Sequence, residues 1–182
     1  LVIWPESALP EPLLFVKNKK GSEDYHLYGA TKHLLDQRIR PLGDFTLITG
    51  MNKFEAEAAG EYINSKKDGS NYNSIALITP EQPLEQNITT YHKVHLVLFG
   101  EYIPLLDSVP FLKELFKFSS GSDFSGNFQA GSSTEPLTLQ TSSGDVQMIP
   151  NICFEDTVSR LTRKFIRQKP QIIVNLTNDG WF

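Results

Sequence analysis

Residues 1–4 read Leu-Val-Ile-Trp, a short apolar run halted by Pro5, the pattern of a strand buried on both faces with its functional loop just past its carboxyl end. Glu6 sits in that loop. A polar, lysine-rich stretch over 17–24 leads into 25–40, where Leu27, Ala30, Leu34 and Leu35 fall at helical spacing until Pro41 stops them, which predicts a surface helix. Residues 45–51 and 74–79 are β-type runs, and the polar stretch 66–73 between them predicts the turn of a hairpin.

Periodicity is clearer toward the carboxyl end. Residues 137–140 and 146–153 predict two strands joined by a turn at Ser142-Ser143-Gly144-Asp145, in spite of Pro150. Asp156, a good capping residue type, then opens an amphipathic helix with Val158, Leu161 and Phe165 on its apolar face and Arg160, Arg163, Lys164 and Arg167 on the solvated side. Pro170 ends it, and 172–175 is a compact strand. That strand-helix-strand order predicts a βαβ crossover and hence an α/β fold. Residues 117–133, rich in Ser and Gly with Phe118, Phe124 and Phe128 interspersed, predict a mobile loop whose rings either pin it to the domain or grip a ligand.

Composition excludes more than it identifies. The 182 residues suit one globular domain, and 17 Lys+Arg against 21 Asp+Glu give a net charge of -4, so there is no broad basic field to hold nucleic acid. No stretch approaches the ~18 to 20 consecutive apolar residues of a bilayer span. The chain opens at Leu1 inside an apolar run, with no initiator Met or signal peptide, and reads as a fragment.

Cys153 is the one cysteine, so no internal disulfide exists. It closes a predicted strand ahead of a helix, where backbone N–H groups favour an anion and a thiol becomes a competent nucleophile; the plain alternative is a small buried hydrophobe. Acyl transfer through a thiol needs a base for its proton and donors for the oxyanion, and a carboxylate with a lysine supplies both. Glu6 and Lys93 are of those types, each otherwise readable as a solvated charge. His92-x-x-His95 has metal-like spacing, yet no neighbouring Cys, Asp or Glu completes a zinc set and the segment is strand-like, so no metal or other cofactor is expected.

Three blocks taken together carry a family resemblance: Trp4-Pro5-Glu6, Lys93-Val94-His95-Leu96 and Ile152-Cys153-Phe154-Glu155 resemble the catalytic blocks of the nitrilase superfamily in their Glu-Lys-Cys order, 87 and 60 residues apart. The longer runs 2–10 and 93–104, with Asn178-Asp179-Gly180-Trp181-Phe182, resemble its apolipoprotein N-acyltransferase branch. Leu98 stands where that branch usually has proline, and Phe154 where it usually has tyrosine. The resemblance implies one αββα sandwich domain over 1–182, incomplete at both ends. It also implies Glu6 as general base, Lys93 as oxyanion stabiliser and Cys153 as nucleophile, with Glu101, Phe154, Glu155 and Trp181 supporting them. Expected partners are a phospholipid acyl donor, an apolipoprotein acceptor and a bacterial inner membrane reached through segments outside this chain, the domain facing the periplasm. A soluble amidase or nitrilase using the same three residues is the alternative.

Overall fold

The computed structural model describes residues 1–9, 11–17, 23–26, 29–59, 62–63, 69–81, 87–104 and 128–178. In chain order the first sheet holds β1 (Val2–Ile3), β2 (Leu13–Lys17), β3 (Glu23–His26), β4 (Leu47–Ala59), β5 (Tyr62–Ile63), β6 (Ser70–Ile78) and β7 (Ile88–His92). β4 is its spine. β6 pairs antiparallel with β4 from Leu47↔Ile78 to Glu55↔Ser70, and β7 pairs antiparallel with β6. β1 and β2 both run parallel to β4, at Leu47–Ile48 and 53–57 respectively.

Alternation along these strands separates two buried surfaces. Leu47 and Met51 of β4, with Ala76 and Ile78 of β6, pack against Leu35 and Ile39, which follow helix α1 (Gly29–Leu34) in a π-helical continuation. Ile48, Ile75, Leu77 and Tyr91 point the other way, onto a second sheet. That sheet has β8 (Leu137–Thr141), β9 (Gly144–Ile152) and β10 (Ile172–Leu176), with β8 antiparallel and β10 parallel to β9. Its Leu137, Leu139, Met148, Ile149 and Ile152 close the cluster together with Leu161 and Phe165 of α2 (Ser159–Ile166), the crossover helix. Full burial of such side chains contributes about 1.5–3 kcal/mol each. The result is the mixed α/β, two-sheet fold that the resemblance implies.

Several local expectations change. β1 is not buried on both faces: Ile3 is 47% exposed, and among the described residues β1 pairs with β4. The expected helix over 25–40 starts only at Gly29, since Glu23–His26 is recruited as a strand antiparallel to β2. Its fully buried side chains are Thr31, Leu35 and Ile39; Leu34 is partly buried against the same cluster and Ala30 is exposed. The hairpin of β4 and β6 is present, but β4 runs on to Ala59 and β6 begins at Ser70, which places residues 70–73 of the predicted turn within β6. Asp156 does not cap α2; a 3-10 turn, Cys153–Thr157, intervenes, and the Asp156 carboxylate accepts from Asn175 instead. The strands on either side of α2 fall within two residues of expectation.

Candidate active site

Glu6 is placed by a turn that rests on β4. Trp4 N–H donates to the Ile48 carbonyl at 2.8 Å, Gly50 N–H to the Pro5 carbonyl at 3.1 Å and Ala8 N–H to the Gly50 carbonyl at 3.0 Å. Only glycine permits this approach: a Cβ on residue 50 would stand 2.4 Å from the Glu6 Cα. The Glu6 carboxylate accepts from Asn73 Nδ2 at 2.7 Å and from the Asn178 backbone N–H at 3.2 Å, the latter just beyond β10.

Lys93 follows β7 and points into the sandwich, 1% exposed. Its backbone is held on both sides, by the Asn73 carbonyl and by Gly131 N–H, each at 2.8 Å. The ammonium donates to Glu101 Oε1 at 2.9 Å. A tight turn brings Glu101 back to it: Gly100 and Glu101 N–H both donate to the Val97 carbonyl, while Glu101 Oε2 accepts from Val97 N–H at 2.9 Å. Asn73 Nδ2 donates to Glu101 Oε1 as well, at 2.7 Å. One amide nitrogen therefore joins Glu6 to the Lys93–Glu101 pair, and no reading of the sequence singled Asn73 out.

Cys153 lies half-buried at the end of β9 with φ 53°, a left-handed conformation rare outside glycine, so the elbow that presents the thiol is strained. Its carbonyl accepts from Asn175 Nδ2 at 3.2 Å. Two residues on, Glu155 is wholly buried. One of its oxygens accepts Val94 N–H at 2.7 Å and His95 N–H at 3.0 Å, the other accepts Ile152 N–H at 2.9 Å, and the Tyr91 hydroxyl reaches both. Glu155 thus ties the cysteine elbow to the segment carrying Lys93. Burial pushes this carboxyl above the usual carboxylate range, opposed by the three backbone donors and by Tyr91. Burial, with the Glu155 carboxylate beside it, drives the Tyr91 hydroxyl far upward.

Glu6, Lys93 and Glu101 are brought into one hydrogen-bonded line through Asn73, and Glu155 ties Ile152, the residue before Cys153, to the backbone of Val94 and His95, just after Lys93. Phe154 stands 45% exposed next to Cys153, and its ring carries no hydroxyl. Trp181 and residues 117–127 of the expected loop lie outside the described residues. Phe128, Gln129 and Gly131 run extended along the site and donate backbone N–H groups to the Glu101, Asn71 and Lys93 carbonyls. His92 does not join His95 at a common site; it faces the opposite side of the sheet, stacked on Tyr72 with Nδ1 2.9 Å from Ser74 Oγ.

The two-sheet α/β frame thus carries a carboxylate joined through an amide to a lysine–carboxylate pair, and a strained cysteine elbow tied by Glu155 to the segment after Lys93. The family profile described as Carbon-nitrogen hydrolase matches residues 1–182, and the chain belongs to that family. Among its relatives are apolipoprotein N-acyltransferase of Bdellovibrio bacteriovorus, 35% identical over all of this chain and 29% of that protein, and apolipoprotein N-acyltransferase 2 of Treponema denticola, 30% identical over all of this chain and 30% of that one. The protein named apolipoprotein N-acyltransferase in Geobacter metallireducens is 29% identical over the whole chain and 28% of its own length. The chain thus spans less than a third of the length of these relatives. No helix among the described residues is long and apolar enough to cross a membrane.

Proposed function

We propose that this chain is the catalytic domain of an apolipoprotein N-acyltransferase, with Cys153 as nucleophile, Glu6 as general base and Lys93 as oxyanion stabiliser. What carries the reading is the Lys93–Glu101 pair standing one amide away from Glu6, on a chain that aligns over its full length with acyltransferases of that name. Cys153 attacks an ester carbonyl of a phospholipid while Glu6 takes the thiol proton, and the oxyanion forms against the Lys93 ammonium. Collapse breaks the ester bond, Glu6 returns the proton to the departing lysophospholipid oxygen, and a thioester remains on Cys153. The α-amino group of a diacylglyceryl-cysteine at the apolipoprotein N-terminus then attacks the thioester. Glu6 moves the amine proton to the leaving thiolate, which yields an N-acylated lipoprotein.

Glu101 holds the Lys93 ammonium in place, Glu155 holds the elbow, and Phe154 borders the acyl path. This reading puts the domain on the periplasmic face of a bacterial inner membrane, anchored through segments outside the present sequence. Intact-mass analysis of the whole protein after incubation with phospholipid tests it, comparing unsubstituted protein with Cys153→Ala and Glu6→Gln. An acyl-sized adduct on the unsubstituted protein alone is expected. Folded protein that takes up no adduct excludes a phospholipid donor and favours hydrolysis of a small amide by the same residues.

A further inference from the structure

Two carboxylates drawn to one point settle their repulsion by sharing a proton unless something stands between them, and a glutamate that carries a proton is no base. At this site the two are Glu6 and Glu101, and one ammonium is at hand: that of Lys93, bonded to Glu101. What stands between them is the Asn73 carboxamide. Its nitrogen has two hydrogens and meets two acceptors, each at 2.7 Å, the short end of the N–H···O range and typical of bonds to a charged oxygen. Its oxygen is buried and finds no partner among the described residues. Turning the amide over would point that oxygen at both carboxylates, so the two acceptors dictate its orientation and the orphaned oxygen is the consequence.

We propose that Asn73 is a positioning residue that keeps Glu6 and Glu101 from sharing a proton, and thereby keeps Glu6 free to receive the one from Cys153. Asparagine suits the task because it donates twice without adding charge, leaving the Lys93–Glu101 pair undisturbed. A cation in its place would compete with Lys93 for Glu101, and an acid would add a third carboxyl to the point of conflict. The same residue holds Lys93 through its backbone carbonyl, and its place in β6 shares the parity of Ile75 and Leu77, which face the interior. The inference rests on the site proposed above, though not on the identity of its substrates.

The test is the pH dependence of Cys153 alkylation by iodoacetamide in the intact protein, which needs neither lipid nor lipoprotein. With Glu6 as proton acceptor the rate has an acid limb, which Glu6→Gln abolishes. Asn73→Ala moves the midpoint of that limb upward by about one pH unit, and Asn73→Asp, nearly the same shape with an acidic oxygen for the donor, by more, while the alkaline plateau stays within about twofold. A uniform loss of rate at every pH, with the midpoint unmoved, would mean that Asn73 only fills space and overturns the proposal. Should Asn73→Ala not fold, Asn73→Asp decides alone. Should neither fold, the infrared difference between unsubstituted protein and Glu6→Gln at neutral pH decides: loss of a carboxylate band upholds the proposal, and loss of a protonated-carboxyl band refutes it. A shifted limb in a protein that forms no acyl adduct sinks the lipid reading and leaves the role of Asn73 standing. The adduct with an unshifted limb does the reverse.

Discussion

Tyr91 donates its hydroxyl to both oxygens of Glu155, at 3.1 and 3.2 Å, across 64 residues of chain. The contact links β7, two residues before Lys93, to the turn that presents Cys153. Because Glu155 also accepts three backbone N–H groups, its loss strands more than its own charge.

Glu155→Gln turns one acceptor into a donor against N–H groups that cannot move away. It is expected to destabilise the protein by about 2–4 kcal/mol, whereas Tyr91→Phe, which removes one hydroxyl, costs about 1 kcal/mol. Chemical denaturation of the two variants checks the order; equal losses would show that the backbone donors find other partners.

Glu101→Gln leaves the Lys93 ammonium buried without its counter-charge, a change worth about 3–5 kcal/mol when the geometry cannot relax. The double variant Lys93→Met with Glu101→Leu removes the charges together and should recover much of that stability while remaining inactive. Thermal melts of the single and double variants measure the coupling.

Gly50→Ala drives a methyl group into the backbone of Glu6, and neither partner is a flexible side-chain end. A loss of about 1–3 kcal/mol is expected, accompanied by a fall in Cys153 reactivity as the base is displaced. Retained reactivity at reduced stability would mean that the turn at Pro5–Ala8 yields without moving the carboxylate.

His92 is held neutral, its pKa lowered from 6.5 to about 4 by burial and by the Lys53 ammonium 3.4 Å away, against the pull of Glu55. Between those two values the unfolded chain takes up a proton that the folded chain refuses, so stability falls as pH drops through the window. The loss should amount to about 1–3 kcal/mol. His92→Gln should flatten that part of the stability profile; urea midpoints at about pH 7 and pH 4 give the comparison.

That Glu6 and Lys93 belong to one site was legible because their flanking blocks are distinctive, and the structure joins them through Asn73 and Glu101. The β9–α2–β10 unit was legible because its periods change cleanly at Cys153 and Pro170. Asn73 was not, since a polar run from Lys66 looks like a turn; only its interior parity with Ile75 and Leu77 hinted at a buried role. The strand at Glu23–His26 was hidden for a different reason. It pairs with β2, which itself pairs with β4, contacts between distant parts of the sequence that override local helical spacing.

The left-handed backbone at Cys153 sets stability against the presence of a thiol at a single position. Glycine would occupy φ 53° without steric cost, so Cys153→Gly is expected to melt at a higher temperature than the protein it inactivates. The backbone at this one position thus stores tension that the rest of the fold must hold.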